Sequence, residues 1–330
     1  MILPFHGLQI RIPTMVLGAF LLSALVGCGN EALDVSSTDY APVDLDKSNE
    51  ERLLRYYLSG YVSREGGDPV ESGLFLVDGG FALNPRLLDV QHRRQLEDTD
   101  QNGEIGWDEF VAFIEGSYAD ARGLPLELEF FRREADWRSD TNDWFSVDID
   151  GVMTEARRRV YVPVSAIRSA LEGFDAAENE LIYPPGTIIV GEHRDGDTVL
   201  ETTIKRKRPD GFWDFAVYDA DGRLASATST GPRSLNAPIQ CVGCHLGRRT
   251  FDPEKSFPAE APDGPHGARA IHVADDLRNA EATTLFDEHA RRSDGVLGLY
   301  CTLYTAGLLS EREAGTISDD DRVLLQHLGL

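Results

Sequence analysis

Apolar positions change their period along this chain, and the changes mark its elements. Leu53, Leu54, Tyr57, Leu58 and Tyr61 recur at helical spacing behind a Ser48/Glu51 capping box. They predict an amphipathic helix that Gly66, Gly67 and Pro69 end. Asn84 before Pro85 is a cap followed by a first helical turn, so a second helix is expected over residues 86–97. A third is expected over 107–118, with Phe110, Phe113 and Ile114 inward. Residues 137–150 read as irregular and acidic, and 162–170 as holding a short helix. The period then becomes two. Strands are expected over 187–192, 198–205, 213–218 and 224–227, with Trp213, Phe215 and Val217 sharing a face. Asp195-Gly196, Asp210-Gly211 and Asp221-Gly222 lie between them as turn signals, so these strands form an antiparallel meander. Residues 258–267 are a Pro/Gly-rich linker, and helices are expected over 276–292, 296–308 and 319–327, the last capped by Ser318 with Asp321. The fold class is α+β: a helical region, a mainly antiparallel β domain, then a helical C-terminal tail.

The N-terminus has a different character. Arg11 precedes an apolar run over 15–26 that is shorter than the roughly 20 residues of a membrane span. Leu25-Val26-Gly27-Cys28 follows and resembles the bacterial lipobox. That resemblance implies cleavage before Cys28, lipidation of its thiol, and stable anchoring through several acyl chains. Gly29 leans towards sorting to the outer membrane. The expected setting is the bacterial cell envelope, lipid-anchored, on the periplasmic side or at the outer membrane. Residues 31–47 are polar and acidic with no apolar period and read as a tether. The expected divisions are 1–27 signal peptide, 28–48 tether, 49–122 helical region, 123–257 β domain, and 258–330 linker and tail.

The formal net charge of −24 makes nucleic acid and anionic membrane surfaces poor partners and cations better ones. Residues 98–109 carry a specific cation signal. Asp98, Asp100 and Asn102 offer side-chain oxygens at the first, third and fifth positions, and Gly103 allows a sharp turn at the sixth. Glu104 offers a backbone carbonyl, Gly106 leaves room for water, and Glu109 offers both carboxylate oxygens at the twelfth. This resembles an EF-hand calcium loop, with oxygen donors suited to a hard cation. Ile105 is the apolar residue through which such loops pair. Residues 62–73 lie at the right distance to be a ligand-free partner loop. A calcium site outside the inner membrane is expected to be structural.

Cys241-Val242-Gly243-Cys244-His245 is the attachment signature of a c-type haem. Cys241 and Cys244 would each bond a vinyl group, and His245 would be the axial iron ligand. A redox disulfide and half of a zinc site are the competing readings; four zinc ligands and a second Cys pair are lacking. Of the 4 cysteines, Cys28 goes to lipid, two go to haem, and Cys301 remains, in an apolar setting that predicts a buried, inert thiol.

The strand motifs Tyr183-Pro184-Pro185-Gly186-Thr187-Ile188-Ile189-Val190 and Gly211-Phe212-Trp213-Asp214-Phe215-Ala216-Val217-Tyr218, with Cys241–His245, Asp252 and Phe257, resemble the cytochrome P-460 and cytochrome c′-beta family. The resemblance covers about a third of the chain. It implies a β haem domain with one histidine on iron, an open distal side, and hydroxylamine oxidation or nitric oxide binding. The hydroxylamine-oxidising branch carries a haem-linked lysine on the strand after the Pro-x-Gly turn. That position is Gly191 here, with Lys205 and Lys207 on the next strand, so that activity is not expected.

The sixth ligand is open. His193 (placed in a turn after a strand), His266, His272, His289, His327 and Met153 are candidates, and Phe212, Trp213 and Phe215 could wall the pocket. Three functions remain: a haem protein for small-molecule redox or gas-ligand chemistry, an electron-transfer cytochrome with a six-coordinate haem, and a calcium-stabilised surface binding lipoprotein. Expected partners are a redox partner or small haem ligand, and the membrane through the lipid anchor, with no nucleic acid.

Overall fold

Short local signals start the chain's first elements. The computed structural model describes residues 40–44, 51–62, 67–77, 80–139, 141–151, 157–174, 177, 181–229, 236–245, 271–272 and 296–330. Strand β1 (Ala41–Val43) is followed by helix α1 (Glu51–Leu58), whose last turn tightens to a 3₁₀ turn at Ser59–Tyr61. Strands β2 (Phe75–Val77) and β3 (Phe81–Leu83) complete a three-stranded antiparallel sheet of order β1-β3-β2. Ala41 and Val43 are buried in it, so the expected tether over 28–48 includes a paired strand at 41–43. The reason is alternation: Ala41 and Val43 point to one side of a three-residue strand, a pattern too short to stand out among acidic neighbours.

The helix expected over 86–97 is broken. A 3₁₀ turn at Pro85–Leu87, capped by Asn84, ends at Leu88, which is extended with ψ 145°. Asp89 then caps a new turn, α2 (Val90–Arg93), by accepting from His92 N at 2.9 Å. Helix α3 (Trp107–Ala121) forms as expected and buries Phe110, Phe113 and Ile114. Helix α4 (Glu129–Glu134) follows.

The stretch 137–150, expected to be irregular, contains strand β4 (Trp144–Gly151), which pairs with β5 (Arg157–Pro163). Val147 and Ile149 face the core, while Asp148 meets Arg159 at 2.7 and 2.8 Å across the pair. The acidic residues are thus one face of a strand. Helix α5 (Val164–Glu172) overlaps the region where a helix is expected and runs two residues beyond it. The meander is β6 (Ile188–Asp195), β7 (Thr198–Lys207), β8 (Trp213–Asp219) and β9 (Leu224–Ala225), with Gly196, Gly211 and Gly222 at positive φ in the three turns. Then come α6 (Ile239–His245), β10 (Ile271–His272), α7 (Val296–Ala314) and α8 (Asp319–His327), the last capped by Ser318 Oγ accepting from Asp321 N. The expected linker over 258–267 and helix over 276–292 lie outside the described residues.

The large sheet is antiparallel, of order β10-β4-β5-β6-β7-β8-β9. The chain is therefore of mixed helix and sheet. One face of the sheet joins Val147, Val160, Ile189, Trp213 and Phe215 to residues of α1, α3, α5, α6, α7 and α8 in one core. The other face packs Tyr161, Val190, Ile204, Ala216 and Tyr218 against Tyr118, Phe131 and Trp137. Because the sheet is covered on both faces, β8 is buried almost throughout, including Asp214. Among the described residues, no helix is long and apolar enough to cross a membrane.

Candidate functional site

The loop before α3 brings three of its predicted donors together. Carboxylate oxygens of Asp98, Asp100 and Glu109 lie within 4.8 Å of one another. Backbone φ is +58° at Gln101 and +85° at Gly103, which bends the loop inward. Asp98 accepts from Asn102 N at 3.2 Å and Gly103 N at 2.8 Å, and Asn102 Oδ1 accepts from Glu104 N at 2.7 Å. Glu109 accepts from Thr99 N, from Thr99 Oγ1 at 2.5 Å and from Gly106 N at 2.9 Å. Burial alone would raise the pKa of Glu109, but the donors from Thr99 and Gly106 hold it below its ordinary value. A carboxylate kept charged beside two others, all on oxygen, fits a hard cation. The apolar Ile105 is fully buried in the main core. Its backbone pairs with β1, donating to Pro42 O at 2.7 Å and accepting from Asp44 N at 2.9 Å.

Cys241, Cys244 and His245 lie in α6, where spacings of three and four put their positions on one helical face. Of these side chains only Cys241 is described; it is half-buried against the main core. Two neighbours sense it electrostatically, Tyr57 of α1 and Lys205 of β7. The N-terminal side of α6 is clamped. Glu115, in the middle of α3, accepts from Asn236 N at 2.7 Å and from Asn236 Nδ2 at 2.9 Å. Asn236 O in turn accepts from Gln240 N, and Gln240 Oε1 accepts from Thr228 N, both at 2.8 Å.

The sheet face on the side of α6 is partly polar. Register places Arg158, His193 and Glu201 in one cross-strand row and Val160, Gly191, Thr203 and Val217 in the next. His193 lies within β6, not in a turn after it, and it is buried. Its Nδ1 is 2.8 Å from Glu201 Oε1, and Glu201 Oε2 accepts from Ser229 N at 2.6 Å and Ser229 Oγ at 2.7 Å. Burial lowers the His193 pKa, and Arg158 and Lys205 lower it further against the pull of Glu201. Glu201 is driven down to about 2: its donors outweigh the opposing effect of burial.

Lys205 is only 5 % exposed. Its Nζ reaches back across Thr203, donating to Oγ1 at 3.3 Å, and ends over Gly191. A Cβ at position 191 would lie 3.5 Å from Nζ and 2.7 Å from Thr203 Oγ1, so only glycine fits there. The sequence put no lysine at position 191, and the neighbouring strand delivers an amine to the same place. Register alone, which pairs Gly191 with Thr203, could have pointed to it.

Phe212, Trp213 and Phe215 belong to the main core, with Trp213 edge-on to Tyr183 at 5.5 Å. Lys207 donates to Gly211 O at 2.6 Å and lies over Trp213. His327 is on α8, at 3.2 Å from Glu172 O. His272 is in β10. Cys28, His266, His289, Met153, Asp252 and Phe257 lie outside the described residues. Cys301 is fully buried, donates to Tyr183 Oη at 3.2 Å and is pushed up to about 12 by burial, as expected of an inert thiol. Comparison with known protein families, known proteins and solved structures finds no match.

Proposed function

We propose that this chain is an exported, lipid-anchored c-type cytochrome acting in small-molecule redox or gas-ligand chemistry. Cys241 and Cys244 would hold haem c and His245 its iron, and the loop Asp98, Asp100, Asn102, Glu104 and Glu109 would hold a structural calcium ion. The observation that carries the reading is the setting of α6: the helix with the attachment signature packs on a sheet face bearing Lys205, Arg158 and the His193–Glu201 pair. Ordinary sheet cores are apolar, and buried charge is kept where chemistry uses it. A haem held there supplies one-electron chemistry and a position for a small ligand. The chain's own residues then divide the work. Glu115 orients α6 through Asn236, Glu201 fixes the His193 ring, and Tyr57 and Val242 help shut water out of the core.

A second reading draws on His193. Ligating histidines are typically held by a carboxylate on the other ring nitrogen, as Glu201 holds Nδ1 here. An electron-transfer cytochrome with a filled sixth position would use it. Haem staining on a denaturing gel tests attachment, and C241S/C244S should abolish the signal. Carbon monoxide binding to the reduced protein then separates the readings. Rapid binding supports the open site; its absence supports six coordination.

A further inference from the structure

We propose that Lys205 and Arg158 form a buried binding site for a small monovalent anion on the inner face of the sheet, beside Cys241. Lys205 is enclosed, and among the described residues its one hydrogen-bond partner is a hydroxyl, Thr203 Oγ1. No carboxylate pairs with it there. Arg158 is the largest charge acting on it, and it has the same sign. Arg158 Nε is itself buried with no hydrogen-bond partner.

Among the described residues, the buried carboxylate on this sheet face is bonded elsewhere. Glu201 takes His193 on one oxygen and Ser229 on the other. Among the described residues no carboxylate pairs with either cation, Lys205 buried and Arg158 half-buried, in a chain whose net charge is −24. An uncompensated buried cation is costly, and two of like sign more so. Such a pair persists where an anion completes it. Gly191 lies beneath the amine with no side chain of its own, Thr203 Oγ1 adds a hydroxyl, and His193 lies one row away. The chemical class is a planar monovalent oxyanion, either a free ion such as nitrite or a carboxylate side arm of an attached haem. The site goes beyond the cytochrome reading and does not require it.

The test is calorimetric titration of the full-length chain with nitrite, repeated on K205M, on R158M and on the haem-free variant C241S/C244S. Each variant is first checked for a cooperative melt. One nitrite should bind per chain, and K205M and R158M should each weaken it at least tenfold. Binding to both the original chain and C241S/C244S assigns the site to a free anion. Binding only to C241S/C244S, still lost on adding K205M, assigns it to the haem carboxylate. Nitrite affinity unchanged by both K205M and R158M, or no binding to any of the chains, overturns the site. The gel stain for covalent haem is read separately. A colourless chain that binds nitrite through Lys205 sinks the cytochrome reading alone, and a haem-bearing chain whose nitrite binding ignores Lys205 sinks the anion site alone.

Discussion

Lys205 is enclosed by its own sheet, and that has a measurable cost. Burial, then Arg158, push its pKa down to about 8, while Cys241 acts in the opposite direction. An unfolded lysine titrates near 10.4. Between those values the unfolded chain holds the proton that the folded chain has released, so stability rises with pH. Below pH 8 both states are charged and the full penalty applies. In anion-poor buffer, stability should therefore climb from pH 8 to 10 by up to about 3 kcal/mol, and K205M should flatten the climb. Denaturant melts at stepped pH would measure it; a flat wild-type profile would mean that Lys205 is not desolvated. Cys301 gives a second expectation at this scale. With its thiol at about 12 and no exposure, iodoacetamide at pH 8 should leave it unlabelled until the chain is unfolded. The two residues were not equally legible. The apolar neighbours of Cys301 announce its burial in one dimension. Lys205 sits between Ile204 and Arg206 in a strand that alternates ordinarily, and only its register with Ile189 and Phe215 reveals where its amine ends.

Elements were legible where the backbone signal is local. The three Asp-Gly turns, the Asn84 and Ser318 caps and the loop 98–109 each need only neighbouring residues. Strands β4 and β5 escaped because their polar faces are charged. Asp148 and Arg159 look solvated in sequence, yet they pair across the two strands and hold the Asp148 carboxyl below its usual range, chiefly through the Arg159 hydrogen bond. The break at Leu88–Asp89 was hidden because Asp89 is as good an N-cap as Asn84, and the two compete. At this scale, α3 offers two tests. If the loop 98–109 is a structural calcium site, chelator should lower the melting temperature of the wild type, and E109Q should melt low and ignore the chelator. Replacing Glu115 by Gln removes the charge from the paired bonds to Asn236. It should cost about 1–2 kcal/mol, in the range of a charge-assisted hydrogen bond, and, if α6 carries haem as proposed, reduce the fraction of chain carrying it. Unchanged haem yield would show that α6 needs no such hold.

For the whole molecule, the expected divisions follow composition more than packing. The described residues fall in one compact unit, and Leu54, Phe110, Ile189, Val242 and Leu324 share one core. Hydropathy cannot report such sharing, because each stretch reads as a domain with a face of its own. The tail is tied in by Arg168 of α5 bonding Asp321 of α8 and by Cys301 of α7 bonding Tyr183. A charged knot joins the helical region to the sheet. Arg122 at the end of α3 donates to Ser59 Oγ at 3.3 Å and lies 3.6 Å from Asp214 Oδ1 of β8. Arg206 and Arg208 of the next strand and loop reach the same carboxylate at 3.0 and 3.6 Å. D214N would leave three guanidinium groups around a neutral amide. The expected loss is about 3 kcal/mol, and urea melts should remain a single transition, because the helical region and the sheet unfold together. A two-step melt would show them to be independent.

Glu109 and Glu115 stand on the same helix, six residues apart, or about 9 Å along its axis. One closes the candidate calcium loop and the other grips Asn236, three residues before α6. A rigid rod between two binding events makes them share free energy, and such sharing runs both ways. If the chain holds haem and calcium as proposed, haem attachment should therefore tighten calcium binding. Calcium titrations of the haem-bearing chain and of C241S/C244S would give the factor, and E115Q should return it to one.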